Sequence, residues 1–539
     1  YAYNSRAENI LREDMKYRII KELVDRENLD LEDEKEFIAS IIAEIGNVKG
    51  DMIDIENYYS SNCSDEVFRR IYKGYDDRLR RKNMLDFDDM LIMCYELFRA
   101  RKDILSAWQN KYQFILIDEF QDINRVQYEV MKMLAEPQNN LFIVGDDDQS
   151  IYRFRGARPE IMLNFEKDYP GSKRIVLDEN YRCSGAVVKA AGHLIAHNEK
   201  RFAKQIKVSQ AEGTPVEYRE FKSSAEENNR IISDIRNYVE QGGKYSDIAI
   251  LFRTNIGPRF LVDKLMEYNL PFHMKDAMPN IYEHFIAKDV ISYIKFATGE
   301  TTREHFLRII NKPNRYISRE LLRTEQVSIE SLMGYFSDKR WMVERLDKLQ
   351  FDLRMIKQMK PYAAINYIFQ GVQYEDYLDE YAEYRRMKVE ELYEVRDTLL
   401  QAAKEYDTFE DWFSHIEQYG KELEEQAKIY NRNENAIELS TMHSAKGLEY
   451  EIVYIIDAVE GVTPHGKAVL DEDIEEERRL FYVAVTRTKK ELHVFWIKER
   501  FNKQVDKSRF VLEMCPEMEQ NAQKRTKNTQ KSKNLLTYR

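Results

Sequence analysis

The chain has 539 residues, with 83 Lys and Arg against 95 Asp and Glu, a net charge of −12. At roughly 150 residues per domain, that length holds three or four domains, each able to bury a core without metals or disulfides. A 43% hydrophobic and 33% charged composition excludes a disordered chain, and no apolar run approaches the roughly 18 residues of a membrane span. Four cysteines, Cys63, Cys94, Cys183 and Cys515, show no CxxC and no paired spacing. This excludes a disulfide scaffold and a thiolate zinc site and fits a reducing cytoplasm. The acidic total gives no global basic field, yet a basic groove on an acidic body still serves nucleic acid. The chain opens Tyr1-Ala2-Tyr3 with no secretory segment behind it, as expected of a processed product or a fragment.

Residues 1–110 are expected to be helical. Apolar residues recur at three- and four-residue spacing, as in Ile38, Ile41, Ile42 and Ile45, with charges between them. From about 111 the pattern becomes short apolar runs that end in polar residues. Phe114-Ile115-Leu116-Ile117 stops at Asp118-Glu119, Leu141-Phe142-Ile143-Val144 at Gly145-Asp146, and Ile175-Val176-Leu177 at Asp178. Strands alternating with helices predict a parallel α/β sheet, whose chemistry collects at the carboxyl ends of its strands. A second α/β set starts near 248 with Ile248-Ala249-Ile250-Leu251-Phe252. A long helical insert over about 301–436 interrupts it, with Leu392, Val395, Leu399, Ala403 and Tyr406 on one apolar face. Strands resume at 452–456 and 492–497, so the chain leaves the second sheet and returns to it. The last 20 residues carry six Lys or Arg and no acid, which reads as a disordered basic tail over 511–539.

Five segments carry chemistry. In Asp118-Glu119-Phe120-Gln121-Asp122, two carboxylates at a strand end suit a magnesium ion and a general base. In 145–157, Gln149 follows a strand end, where an amide can bond both a phosphate and a water. Tyr152 and Phe154 alternate there with Arg153 and Arg155, giving π-faces for bases and cations for phosphates. The other three segments are Leu177-Asp178-Glu179-Asn180-Tyr181-Arg182, Ser440–Tyr450 (which includes Thr441, His443, Lys446, Gly447 and Glu449) and Glu475–Arg487.

In this order, the five segments closely resemble the motifs of superfamily 1 DNA helicases of the UvrD/Rep/PcrA family. Leu85-Asp86-Phe87-Asp88-Asp89-Met90 and Leu251-Phe252-Arg253-Thr254-Asn255 also resemble that family. The resemblance covers nearly all of 1–510. It implies an α/β protein with two RecA-like P-loop NTPase domains, the first incomplete, and helical accessory subdomains. The implied division is 1–110 accessory, 111–178 partial first motor domain, 179–300 and 437–510 second motor domain, 301–436 accessory insert, and 511–539 tail. It implies an ATP-dependent, 3′–5′ translocase and helicase on single-stranded DNA or tailed duplexes, in repair or replication, with repair or replication proteins as partners.

By matching positions, Asp118 would hold Mg²⁺, Glu119 would activate water and Gln149 would sense the γ-phosphate. Arg182 and Arg487 would act as arginine fingers on ATP. Tyr181 would stack on adenine, with Gly447 and Glu449 at the nucleotide and Glu449 on the ribose. Tyr152, Phe154, Arg155, Thr441 and His443 would contact DNA, the last two coupling it to the nucleotide. Phe154 stands where the family often has Trp, and the insert is short for the family.

The family's P-loop, G-x-x-x-x-G-K-[ST], is absent from the 539 residues: 242–245, 420–422 and 466–468 all fail the pattern. The resemblance therefore implies that roughly the first hundred residues of the family pattern are missing and that this chain alone is inactive. A second reading is a catalytically inactive single-strand-binding or regulatory fragment. A third, a helicase–nuclease, finds no carboxylate-and-Lys nuclease site after 500.

Overall fold

The computed structural model describes residues 6–29, 31–276, 279–429, 435–501 and 503–518; the expected tail beyond 518 lies outside them. Three long helices open the chain, Glu13–Arg26, Glu34–Gly50 and Asp65–Lys82. Each buries a stripe at helical spacing, and Ile20, Ile38, Ile41, Ile45, Phe68 and Tyr75 form their shared core. Sequence sets the ends of the third. Ser64 caps it, Asp65 and Glu66 stand in its first turn, Arg80, Arg81 and Lys82 in its last, and Asn83 stops it in the left-handed region. The 85–90 segment opens the next helix, Phe87–Ala100, as a reciprocal cap between Asp86 and Asp89. Buried Lys49 reaches both carboxylates, at 3.0 and 2.6 Å, so this segment clamps the helical region to its neighbour.

Among the described residues the first sheet has two parallel strands, β1 (Ile115–Ile117) and β2 (Leu141–Ile143). One face packs on Phe120, Tyr128 and Met131. The other leaves Phe114, Leu116 and Phe142 at 70%, 71% and 56% exposure. The expected strand at 175–177 does not form. Among the described residues no strand pairs with this apolar run, and Leu177 is exposed. A short parallel pair follows instead, β3 (Glu179–Asn180) with β4 (Lys207–Val208).

The second sheet comprises β5 (Glu217–Ser223), β6 (Ile248–Phe252), β7 (Phe272–Met274), β8 (Ile437–Thr441), β9 (Tyr450–Ile455), β10 (Thr488–Arg500) and β11 (Lys503–Gln504). Its order is β11-β10-β9-β6-β8-β7, with β5 also on β10. Central β6 is buried at every residue between parallel β8 and β9, which explains its unbroken apolar run. The chain leaves after β7 and returns at β8.

The helical insert between them has its own core, and that core begins at Ile281 rather than near 301, because Tyr282, Phe285, Val290 and Tyr293 pack into it. Leu392, Val395, Leu399 and Ala403 are buried on the helix Val389–Ala403, and Tyr406 packs against the same core beyond its end. The insert is pinned to the second sheet domain by Arg259, which is buried with its guanidinium 4.6 Å from the ring centroids of both Tyr282 and Tyr419. It also touches the first helical region, where Glu32 pairs with Lys312 at 2.6 Å and accepts from Tyr377 at 2.7 Å. The boundary expected at 511 falls inside the helix Arg509–Met514, whose Phe510, Val511 and Met514 are buried. No helix among the described residues is long and apolar enough to cross a membrane.

Candidate functional site

The carboxyl ends of β1 and β2 lie side by side, because the register sets Ile117 against Ile143. Exposed Asp118 and Glu119 follow β1, and Glu119 sits in the left-handed region at φ 50°. Such a conformation costs a non-glycine residue on the order of 1 kcal/mol. Asp118 Oδ1 accepts the Glu119 amide at 2.9 Å. As an exposed hard oxygen donor at a strand end, Asp118 suits a hydrated Mg²⁺.

Gln121, fully buried, holds this corner together. Its amide nitrogen donates to Glu119 at 2.6 Å, its Oε1 accepts the Asp146 amide at 3.0 Å, and its carbonyl accepts from Ser150 at 3.2 Å. Gly145 makes room for it, since a Cβ there would stand 2.5 Å from Gln121 Oε1. Sequence reasoning gave Gln121 no role; an amide between two acids in 118–122 was the available signal.

After β2, Gln149 lies in a short 3-10 turn. Its amide nitrogen donates to Asp146 at 2.8 Å, and its Oε1 faces Arg487 of the second sheet domain at 3.5 Å. Arg487 is 1% exposed and also donates to the carbonyls of Val483 and Leu448. Burial, then neighbouring Arg182, pulls its pKa down to about 10, which leaves it charged at neutral pH. Arg182 pairs with Glu449 at 2.7 Å, and Lys489 meets the same carboxylate at 2.9 Å. These partners hold Glu449 below the usual carboxylate range. Tyr181 stands exposed beside them, tied through its hydroxyl to Glu179. Gly447 adopts φ 84°, a turn other residues take only with strain. Gln149 of the first half thus faces Arg487 of the second, next to the Arg182–Glu449 pair.

A second group adjoins them. Tyr152 and Phe154 have ring centroids 6.1 Å apart, Arg155 lies 5.3 and 5.4 Å from the two rings, and Phe154 meets His443 edge-on at 5.4 Å. Phe154 is 51% exposed. His443 is held to about 4 by burial first, then by Arg253, and is neutral at pH 7. Thr441 is fixed by Asp276, which accepts its hydroxyl at 2.7 Å and its amide at 3.0 Å.

Lys446, unassigned from sequence although it lies within 440–450, bridges the two groups. It pairs with Asp122 at 2.6 Å, donates to the Gln149 carbonyl at 2.9 Å, lies 3.8 Å from Glu119 and sits 4.9 Å from the Tyr152 ring centroid.

The UvrD-like helicase C-terminal domain matches residues 175–499, and the UvrD/REP helicase N-terminal domain matches 2–170. YjcD of Bacillus subtilis is 32% identical over 496 residues, covering 89% of this chain and 64% of YjcD. The ATP-dependent DNA helicase PcrA of Staphylococcus epidermidis (strain ATCC 35984) is 32% identical over 510 residues, and that of Staphylococcus aureus 30% over 512, each covering 88% of this chain and 67% of the relative. The chain therefore spans about two-thirds of the length of these relatives. With both domain matches falling in order around the paired sheets, the chain belongs to the UvrD-like helicase family.

Proposed function

We propose that the protein is an ATP-dependent DNA translocase and helicase, moving 3′–5′ on single-stranded DNA in repair or replication, in the cytoplasm and with repair or replication proteins as partners. One observation carries this reading. Lys446 of the second half touches the acidic corner, the Gln149 turn and the Tyr152 ring at once. A nucleotide between the sheets and a strand on the aromatic row would each act on that cation, which is what coupling requires.

In this reading Asp118 holds Mg²⁺, which screens the phosphate oxygens when bound. Glu119 orients and deprotonates the attacking water, and Gln149 reads the γ-phosphate. Arg182 and Arg487 supply cations from the second half; in related NTPases such fingers are worth about 10³–10⁵ in rate. Tyr181 offers a face to adenine, while Gly447 and Glu449 line the nucleotide's other side, with Glu449 on the ribose. Tyr152 and Phe154 stack bases, Arg155 meets phosphate, and Thr441 and His443 flank the strand.

The 539 residues contain no P-loop. The test therefore measures ATP hydrolysis with and without single-stranded DNA on this chain and on the full product of its gene. The expected result is negligible turnover by the 539-residue chain, DNA-stimulated turnover by the full product, and its abolition by Glu119→Gln. A full product that ignores DNA would sink the motor reading. The aromatic row is complete in this chain, so strand binding is expected from it even without turnover.

A further inference from the structure

A glutamine side chain has two unlike ends. Its carbonyl oxygen accepts hydrogen bonds from water or arginine, whereas its NH₂ only donates them. Which end faces a reaction centre decides what the residue can do there. In Gln149 the choice is forced, because the group beside it is the carboxylate of Asp146, 2.8 Å away. A carboxylate only accepts, so the amide nitrogen must face it and Oε1 must face Arg487.

Asp146 is itself held from the opposite half of the molecule. Lys204 Nζ pairs with Asp146 at 2.6 Å and with Asp148 at 3.2 Å, and also with Asp147. Arg201 grips Asp148 through two contacts of 2.8 and 2.7 Å. Lys204 and Arg201 follow the helix Gly185–Ile195, whose Val187, Ala190 and Leu194 belong to the core of the second sheet domain. Three carboxylates of the first half therefore meet two cations of the second. Lys204, with its side chain 14% exposed, is the cation that reaches the acid holding Gln149. Lys204 and the Gln149 amide both hold Asp146 below the usual carboxylate range, so it remains an obligate acceptor at neutral pH.

We infer that Lys204 is a positioning residue for the hydrolytic site: by pinning Asp146 across the interface, it fixes the Gln149 amide with Oε1 toward Arg487. The orientation then depends on the two halves being together, so an opened interface releases the amide to turn. This rests on the ATPase reading of the site proposed above.

The experiment uses the full gene product and measures ATP turnover with saturating single-stranded DNA. Lys204→Met and Asp146→Asn should each lower kcat by about 10- to 100-fold, with KM for ATP within about three-fold of wild type. Asn is nearly isosteric with Asp but can face Gln149 with either end, so Asp146→Asn tests orientation without emptying the site. Lys204→Arg keeps the cation and should restore most of kcat. If Lys204→Met or Asp146→Asn turns over at the wild-type rate, the inference is overturned. It is also overturned if kcat and the thermal midpoint fall while KM rises beyond about three-fold and Lys204→Arg rescues none of them, because that marks a structural role only. A wild-type protein without DNA-stimulated turnover overturns the ATPase reading, and this inference with it.

Discussion

Gly145→Ala tests whether the corner built around Gln121 is as tight as its contacts imply. The added methyl would stand 2.5 Å from Gln121 Oε1, 3.1 Å from Met162 Sδ and 3.2 Å from the Gln121 amide nitrogen. The first distance lies under the 3.0 Å that real Cβ contacts respect. Backbone blocks one direction of escape, so Gln121 must swing away from Gly145. Doing so breaks its bond to the Asp146 amide and loosens its hold on Glu119. Overpacking of this kind costs about 1–3 kcal/mol, and the broken hydrogen bond about 1 kcal/mol more. The sum, about 2–4 kcal/mol, is read on the first urea unfolding transition of the 539-residue chain, since a chain with several cores unfolds in steps. The cycle with Gln121→Ala isolates the cause. Truncating Gln121 removes the atom that clashes, so the second substitution should then cost under about 1 kcal/mol. Additive costs in the double variant, or a single variant within about 0.5 kcal/mol of wild type, would refute the reasoning.

Three further outcomes are expected. Phe154→Ala should weaken binding of an oligo-dT strand, measured by fluorescence anisotropy, by about 1–3 kcal/mol, and Phe154→Trp should strengthen it. His443 and His284 are both held by burial at about 4, below their ordinary value of 6.5. The unfolded chain then binds more protons than the folded one between those values, so stability is full above 6.5 and is lost as the pH drops toward 4. Thermal midpoints across that window should decline, and less steeply in His284→Gln. Arg259→Lys keeps the charge but loses the planar group between Tyr282 and Tyr419; limited proteolysis should then cut the junction between insert and sheet faster than in wild type.

Much of the fold was legible because local pattern and tertiary role agreed. The run at 248–252 is apolar at every position because β6 is covered on both faces, and the runs at 115–117 and 141–143 end where their acids begin. The run at 175–177 has the same pattern, but a strand is a pairing, and pairing is invisible in one segment. The insert's true start was hidden for a related reason: Phe285–Thr298 is an amphipathic helix by any reading, and only the packing of Tyr293 and Phe296 says which core owns it. In the candidate site, the structure brings residues from separate quoted segments together, as where Gln149 faces Arg487 and Arg182 pairs with Glu449. What sequence could not show was contact over long separation. Lys446 meets Asp122 across 324 positions and Lys204 meets Asp146 across 58, and no spacing rule reaches that far.

The two-stranded sheet has a consequence for how this chain behaves at the bench. Among the described residues neither outer edge of this two-stranded sheet pairs with another strand, and the face beside those edges carries exposed Phe114, Leu116 and Phe142. Free backbone donors and acceptors next to an uncovered apolar strip form a template for another chain's extended segment. Concentrated samples should therefore stick to one another through this patch, more so in ammonium sulfate, which strengthens apolar association. Lysine placed at Leu116 or Phe142 would break the strip and leave the packed face as it is. Such a variant would be the better material for crystals and for strand-binding titrations alike.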